Sequence, residues 1–317
     1  MPVNRNDVVN AYRLILGREP ENEDVILAAM SSPDLANLRS AFLASVEFKR
    51  RQGLEVGPPP VGRFLDATSH GTDLDCTRDQ MTDMLSRIAS AWREFGETEP
   101  HWSVLTSDDF KQENLQKNID AFYLSGVRSV ERDFNFLKRA DRPLSFKKAL
   151  DFGCGVGRLT FALTPYAETV VGMDISTPHL RVAREEAQKR SIRNVEFKAM
   201  ESLNDISALN GFDLIISKIV LQHNPPPIMA AIMERLLQSL ASGGVAIIQL
   251  PTFLEHQTFA VETYLNNSQP KMEMNALPQR FVFELIEQTG CRCLEVREDT
   301  VIGSEPGISQ IFCIAKR

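Results

Sequence analysis

The sequence has no CxxC cysteine pair, no long apolar run and no excess of basic charge, and each absence removes a class of protein. Its five cysteines, Cys76, Cys154, Cys291, Cys293 and Cys313, are odd in number and scattered. Cys291-Arg292-Cys293 is too tight for ordinary zinc-ligand spacing, so no metal site is expected. The cysteines read as free thiols in a reducing compartment. No run of about 18 apolar residues occurs, and the N-terminal MPVNRNDVVNAYR lacks the apolar core of a signal peptide, so a cytoplasmic protein without membrane insertion is expected. With 35 basic and 42 acidic side chains the net charge is −7, and the pI is about 5.4. That balance argues against broad binding to nucleic acid or an anionic membrane, although it leaves room for a small basic patch. No internal repeat and no low-complexity tract is present.

The chain is 317 residues long, with 43% hydrophobic and 24% charged residues, which suits a soluble globular protein of about two domains. Residues 1–52 read as a small helical domain. Asn6 is the expected cap of a first helix whose apolar residues Val8, Val9, Tyr12, Ile15 and Leu16 follow the helical period, and Gly17 and Pro20 end it. Segments 23–30 and 34–50 give two more helices. Residues 53–77 are rich in Gly and Pro, with Pro58, Pro59 and Pro60 in a row, and read as a linker. Residues 78–317 form the larger domain. Its helical N-terminal extension, 78–146, carries a helix with Met81, Met84, Leu85, Ile88, Ala91 and Trp92 on one face. Two further helices are expected over 107–140, broken near Ser125-Gly126.

From residue 147 to 317 strands alternate with helices, which predicts a doubly wound parallel sheet. The apolar runs are Ala149–Phe152, Thr169–Met173, Asn194–Phe197, Phe212–Ile216 and Gly244–Gln249, with helices from about 157, 178, 225 and 278. The last two runs, Cys293–Val296 and Ser309–Ala315, are joined by a loop and can pair antiparallel.

The segment Asp151-Phe152-Gly153-Cys154-Gly155-Val156-Gly157-Arg158 takes a strand through glycines into a helix. Glycine permits the tight turn and the close approach of a ligand. A dinucleotide site requires a third glycine at the position of Arg158, and the Asp151 carboxylate would repel a pyrophosphate. A ligand with cationic groups suits that acid.

Here the resemblance is direct. ALDFGCGVGRLT looks like the first motif of class I, S-adenosylmethionine-dependent methyltransferases. VVGMDIS, FDLIISKIVLQHNPP and LASGGVAIIQL resemble the family's second, fourth and fifth strands, and the likeness spans roughly 100–317. It implies a Rossmann-like, seven-stranded sheet with an antiparallel last strand, with S-adenosyl-L-methionine as cofactor and S-adenosyl-L-homocysteine as product. It further implies that Asp151, Gly153, Cys154, Gly155 and Gly157 hold the methionine part. Asp174, with Ile175, would hold the ribose through a bidentate contact, and Met200 and Glu201 would meet the adenine. Lys218 and Gln222-His223-Asn224 would lie beside the reactive methyl. His223 is a candidate general base, against a structural or cofactor-positioning role. Tyr123, Ser125 and Gly126 resemble a segment that closes over the cofactor, with a helix start at Ser125-Gly126 meeting its carboxylate. Met272–Pro278, with His256 and Tyr264 nearby, sits where such enzymes place a lid on the acceptor.

The N-terminal pattern, with Tyr12, Arg13, Leu16, Gly17, Arg18 and Pro20 and then Phe42, Leu43, Ser45, Glu47 and Phe48, resembles a small bacterial domain found beside surface-glycan enzymes. It implies docking of another protein rather than chemistry. The expected function is methyl transfer to an oxygen or nitrogen of a small molecule or sugar, in surface-glycan biosynthesis. The alternatives are a protein or RNA methyltransferase, and a non-catalytic binding protein of the same fold. Asn224-Pro225-Pro226 approaches an acceptor clamp of the type Asn-Pro-Pro-Tyr, but Pro227 stands where the aromatic would be.

Overall fold

The computed structural model describes residues 3–45, 47–48, 71–255, 257–267, 272–299 and 307–317. The Gly- and Pro-rich stretch at 53–70 and His256 lie outside them. Two compact units divide the chain, Met1–Phe64 and Leu65–Arg317.

The first unit holds α1 (Arg5–Ile15), α2 (Glu23–Met30) and α3 (Leu35–Ala44). The α1 cap is Asn4, not Asn6. The Asn4 side chain accepts from the Asn6 and Asp7 amides, and Asp7 returns the bond to the Asn4 amide. The third helix stops at Ala44, short of the expected 50. Val8, Val9, Leu16, Ile26, Leu38 and Phe42 form the core. Arg18 lies 4.9 Å from the centre of the Tyr12 ring and is paired with Glu47 at 2.5 Å. These motif residues therefore tie the turn after α1 to Glu47, beyond the end of α3.

The second unit begins with α4 (Arg78–Thr98) and α5 (Gln112–Arg139). Thr77 and Gln80 form a reciprocal cap at the start of α4. The break expected near Ser125-Gly126 is absent, because α5 runs unbroken through both residues. Ser125 Oγ donates to the Phe122 carbonyl inside the helix at 2.6 Å, and Gly126 serves packing, as described below.

Then follow β1 (Phe146–Phe152), α6 (Arg158–Leu163), β2 (Ala167–Asp174), α7 (Thr177–Lys189), β3 (Val195–Ala199), α8 (Leu203–Ser207), β4 (Phe212–Ser217), α9 (Pro226–Gln238), β5 (Leu240–Leu254), α10 (Val261–Asn266), α11 (Gln279–Gln288), β6 (Cys291–Asp299) and β7 (Gly307–Lys316). The strands form one sheet of seven in the order β3-β2-β1-β4-β5-β7-β6. All pairs from β3 to β5 are parallel, and β7 runs antiparallel to both β5 and β6.

Both sheet faces are covered, so the central strands are apolar throughout rather than alternating. Leu150, Val171, Ile215 and Ile248 face one layer with Met84, Ile88, Met229 and Ile232 of α4 and α9. Ala149, Val170, Leu214 and Ile247 face the other with Val130, Phe134 and Leu159 of α5 and α6. The strand order reverses between β1 and β4. Chain connections diverge there and leave a crevice at the carboxyl ends, the place where open α/β sheets bind ligands.

Candidate active site

A cavity occupies that crevice. Its walls include Asp151, Gly153, Cys154, Gly155, Arg158, Asp174, Ile175, Met200, Lys218, Ile219 and Asn224, together with Trp92, Ser103, Val104 and His179 from the helical extension and α7.

The glycine loop needs its glycines. Gly153, Gly155 and Gly157 have φ of +74°, +52° and +87°, a region that side chains rarely adopt. The Gly153 amide donates to the Met173 carbonyl at 2.7 Å. The Gly155 amide donates to Asp174 Oδ2 at 2.8 Å, and Ser176 N donates to Oδ1 at 2.8 Å. The Asp174 carboxylate thus ties the loop to the end of β2. A carboxylate has about four lone-pair sites, so both oxygens can still accept from a ligand.

Asp151 is fully buried, and burial pushes its carboxyl up to about 6, with the Thr160 hydroxyl, 2.6 Å away, working against that rise. Arg158 is also buried. Desolvation lowers its guanidinium from the ordinary value, opposed first by Asp151. Its Nη1 reaches Ser125 Oγ at 3.4 Å, and its Nε has no hydrogen-bond partner among the described residues. In the sequence Arg158 served only to argue against a dinucleotide. In the fold it is a buried cation with an unmet donor on the cavity wall, a property that shows only once burial is known.

Other expected site residues fall around rather than in the cavity. Tyr123 is buried behind the loop, where its hydroxyl donates to the Val156 carbonyl at 3.3 Å and Arg190 covers its ring. A Cβ on Gly126 would stand 2.1 Å from the Arg158 carbonyl, so Gly126 lets α5 cross the start of α6. No helix begins at Ser125-Gly126, so no free helical amides are offered there. Gly157 caps α6 and is not among the residues of the cavity wall. Met200 is buried in the wall, whereas Glu201 is exposed and outside it.

Lys218 lines the cavity, but its ammonium is held by Asp133 at 2.9 Å and by Ser129 at 3.1 Å on α5. The next residue, Ile219, has φ +60°, an unusual and strained conformation for a β-branched side chain. Buried Gln249 holds it there by accepting from the Ile219 amide at 2.6 Å. Gln249 in turn donates to Gln222 and Ser309. Nothing in the sequence periodicity marks Gln249, which sits in an otherwise apolar strand.

His223 is buried and lies outside the cavity wall. Burial lowers its pKa from the ordinary value, and the Glu273 carbonyl works the other way. Its Nδ1 donates to that carbonyl at 2.7 Å, which leaves Nε2 as the acceptor nitrogen, 3.4 Å from the Gln222 amide. The Asn224 amide donates to the Val220 and Leu221 carbonyls within its own turn.

The strand order and the acid–glycine crevice together define the class I methyltransferase fold, of Rossmann-like type. Comparison with known proteins agrees. Residues 145–296 match a family described as a methyltransferase domain. A ubiquinone biosynthesis O-methyltransferase from Psychrobacter arcticus is 28% identical over 136 residues, 42% of this chain and 49% of that protein. An uncharacterized protein from Rickettsia prowazekii is 29% identical over 158 residues, 46% of this chain and 63% of that one. The chain thus spans less than two thirds of each relative. Among solved structures, magnesium protoporphyrin IX methyltransferase from Synechocystis PCC 6803, with bound S-adenosylhomocysteine, superposes with a TM-score of 0.52 at 20% identity. The match covers 73% of this chain and 99% of that one.

Proposed function

We propose that this chain is a S-adenosyl-L-methionine-dependent methyltransferase acting on an oxygen or nitrogen of a small molecule or sugar. The observation that carries the reading is the cavity at the order reversal, where Asp151, the glycine loop, Arg158, Asp174, Ile175 and Met200 share one wall. The residues suit the cofactor. Arg158, buried with an unmet Nε donor, takes its carboxylate. The Asp174 oxygens take the ribose hydroxyls, and Ile175 and Met200 give the adenine an apolar surface. When bound, the cofactor supplies a methyl group already activated on a sulfonium, and S-adenosyl-L-homocysteine is the product.

The protein's own share is positioning, which can supply much of the rate of such a transfer. Lys218 is committed to Asp133 and Gln249 fixes the Ile219 backbone, so the rim at the end of β4 is rigid. Several relatives are named as O-methyltransferases, which supports an oxygen acceptor. The resemblance of the N-terminal unit supports a setting in surface-glycan biosynthesis, with that unit docking another protein. Leu14, 86% exposed, and Leu27, 61% exposed, supply apolar surface for docking.

Isothermal titration of the purified chain with S-adenosylmethionine and S-adenosylhomocysteine, beside Asp174→Ala, tests the reading. Micromolar binding of both is expected. Loss of a charged acceptor serving two ligand hydroxyls weakens binding by about a hundredfold. A folded wild-type chain that binds neither ligand overturns the proposal.

A further inference from the structure

Ser103, Val104 and His179 share the cavity wall with the glycine loop and Asp174, and the cofactor reading gives them no task. Residues 99–107 follow α4 and lead toward α5 without forming a regular helix or strand. They make a strap whose ends are tied together. The Gln112 amide donates to Glu99 Oε2 at 2.9 Å, and the Gln112 side chain donates to the Thr98 carbonyl at 2.7 Å. The middle of the strap reaches the glycine loop. A Cβ on Gly155 would stand 2.5 Å from Val104 Cγ2, so Val104 fills the space that a side chain on the loop would take.

One imidazole holds the middle of the strap. His179, near the start of α7, is buried, as are Ser103 and Ser176. Its Nε2 lies 2.8 Å from Ser103 Oγ on the strap, and its Nδ1 lies 2.7 Å from Ser176 Oγ at the turn after β2. Either ring tautomer makes both bonds. With the proton on Nδ1, the ring donates to Ser176, whose hydroxyl donates to the Trp92 carbonyl at 2.9 Å, and Ser103 donates to Nε2. With the proton on Nε2, the ring donates to Ser103, whose hydroxyl donates to the Pro100 carbonyl at 3.2 Å, and Ser176 donates to Nδ1. The bridge also shapes α4. A Cβ on Gly96 would stand 2.6 Å from His179 Nδ1 and 2.7 Å from Ser176 Oγ, so α4 carries glycine, a poor helix former, where the bridge passes. The Ser176 amide donates to Asp174 Oδ1, and the bridge therefore ends beside the carboxylate assigned to the ribose.

We propose that His179 is a positioning residue for the cofactor: by joining Ser103 to Ser176 it seats the 99–107 strap on the glycine loop, and the strap lifts for S-adenosyl-L-homocysteine to leave. This rests on the methyltransferase reading. The Ser103–His179 bond joins the strap to α7, so opening breaks it. Weakening that bond speeds departure of the ligand and does not slow its arrival, whereas a deformed site slows arrival.

Surface plasmon resonance on the full chain, with S-adenosylhomocysteine as the probe, gives the two rates separately. Dissociation is expected to quicken about fivefold in Ser103→Ala, which loses one hydrogen bond, and about tenfold in His179→Phe, which keeps a ring but loses both. Association is expected to be no slower than in the wild type. The combined variant should release the ligand no faster than His179→Phe, because both substitutions remove the same bond. Three results overturn the assignment: dissociation from Ser103→Ala within about twofold of the wild type, slowed association in that variant, or a combined variant that multiplies the two single effects. If His179→Phe fails to fold, Ser103→Ala, which removes a single oxygen, decides alone. A folded wild-type chain that binds no S-adenosylhomocysteine overturns the cofactor reading instead, and the wild-type measurement separates the two failures.

Discussion

On the β1–β2 side of the cavity the wall comes mainly from one stretch, from Asp151 through the glycines to Asp174 and Ile175. On the β4–β5 side it is assembled from Trp92, Lys218, Ile219 and Asn224, with Gln249, Glu273 and Asn275 behind them. The first side is held by backbone conformation, with three left-handed glycines and one carboxylate accepting from two amides. The second is held by side chains bonding to backbones far away in sequence. A site of the first kind suits a ligand that never changes. One of the second kind can change its ligand by changing side chains, with the sheet left alone.

The sides also differ in the charge they bury, and this gives the largest expected effect. Asp151 carries a pKa raised to about 6 by burial, against an ordinary 3.8. The folded state therefore holds this proton more tightly than the unfolded chain. The stability it contributes is complete below pH 4 and is lost as pH rises through about 6, a change of about 3 kcal/mol at 1.36 kcal/mol per pH unit. Asp151→Asn removes that loss. Denaturant unfolding between pH 4 and pH 7 is expected to show the variant gaining on the wild type as pH rises. Parallel curves would show that the carboxyl is ionised at little cost.

Packing behind the loop comes next. Gly126→Ala places a methyl 2.1 Å from the Arg158 carbonyl, a backbone atom that cannot swing away. Overpacking of this kind costs about 1–3 kcal/mol, read as a lower melting temperature. Weaker cofactor binding should accompany it, because α6 carries Arg158. A stable Gly126→Ala chain with normal binding would separate α5 from the loop.

Arg158 itself sharpens the contrast. Arg158→Lys keeps the charge near Asp151 but loses the planar fork. Affinity for S-adenosylmethionine is expected to fall about tenfold, or about 1.4 kcal/mol. Affinity for 5′-methylthioadenosine, which lacks the carboxylate, is expected to stay the same. Titration with both ligands decides, and an equal loss for both would mean that Arg158 only shapes the loop.

The same contrast explains what could be read from the sequence. Asp151, the glycines and Asp174 lie on two consecutive strand ends, so their spacing carries the geometry, and the strands of the sheet follow from their apolar runs. Ser125-Gly126 misled because a small residue pair in a helical pattern has two causes, a break or a close crossing. Only the partner helix, unseen in a sequence window, decides between them. Lys218 lines the cavity, but its ammonium is claimed by Asp133, a residue of α5 distant in sequence. Gln249 carried no signal, because an amide in an apolar strand becomes meaningful only through its three-dimensional partner.

The smallest effect is expected at His223, where a tether and a base make opposite predictions. Its Nδ1 is spent on the Glu273 carbonyl, and Nε2 faces the Gln222 amide. The Asn amide nitrogen occupies nearly the position of Nδ1, so His223→Asn can keep the tether while removing the imidazole. Turnover is then expected to stay within about threefold, whereas loss of a general base costs about 10²–10⁴-fold. The pH dependence of stability should change in the direction opposite to that of Asp151→Asn. Burial lowers the His223 pKa from its ordinary 6.5, so its contribution is present above that pH and lost as pH falls through the lowered value. His223→Asn should therefore flatten the acid side of the wild-type stability curve. A fall in turnover of a hundredfold or more, with the acid side unchanged, would make His223 a base and leave the β4 rim without its tether.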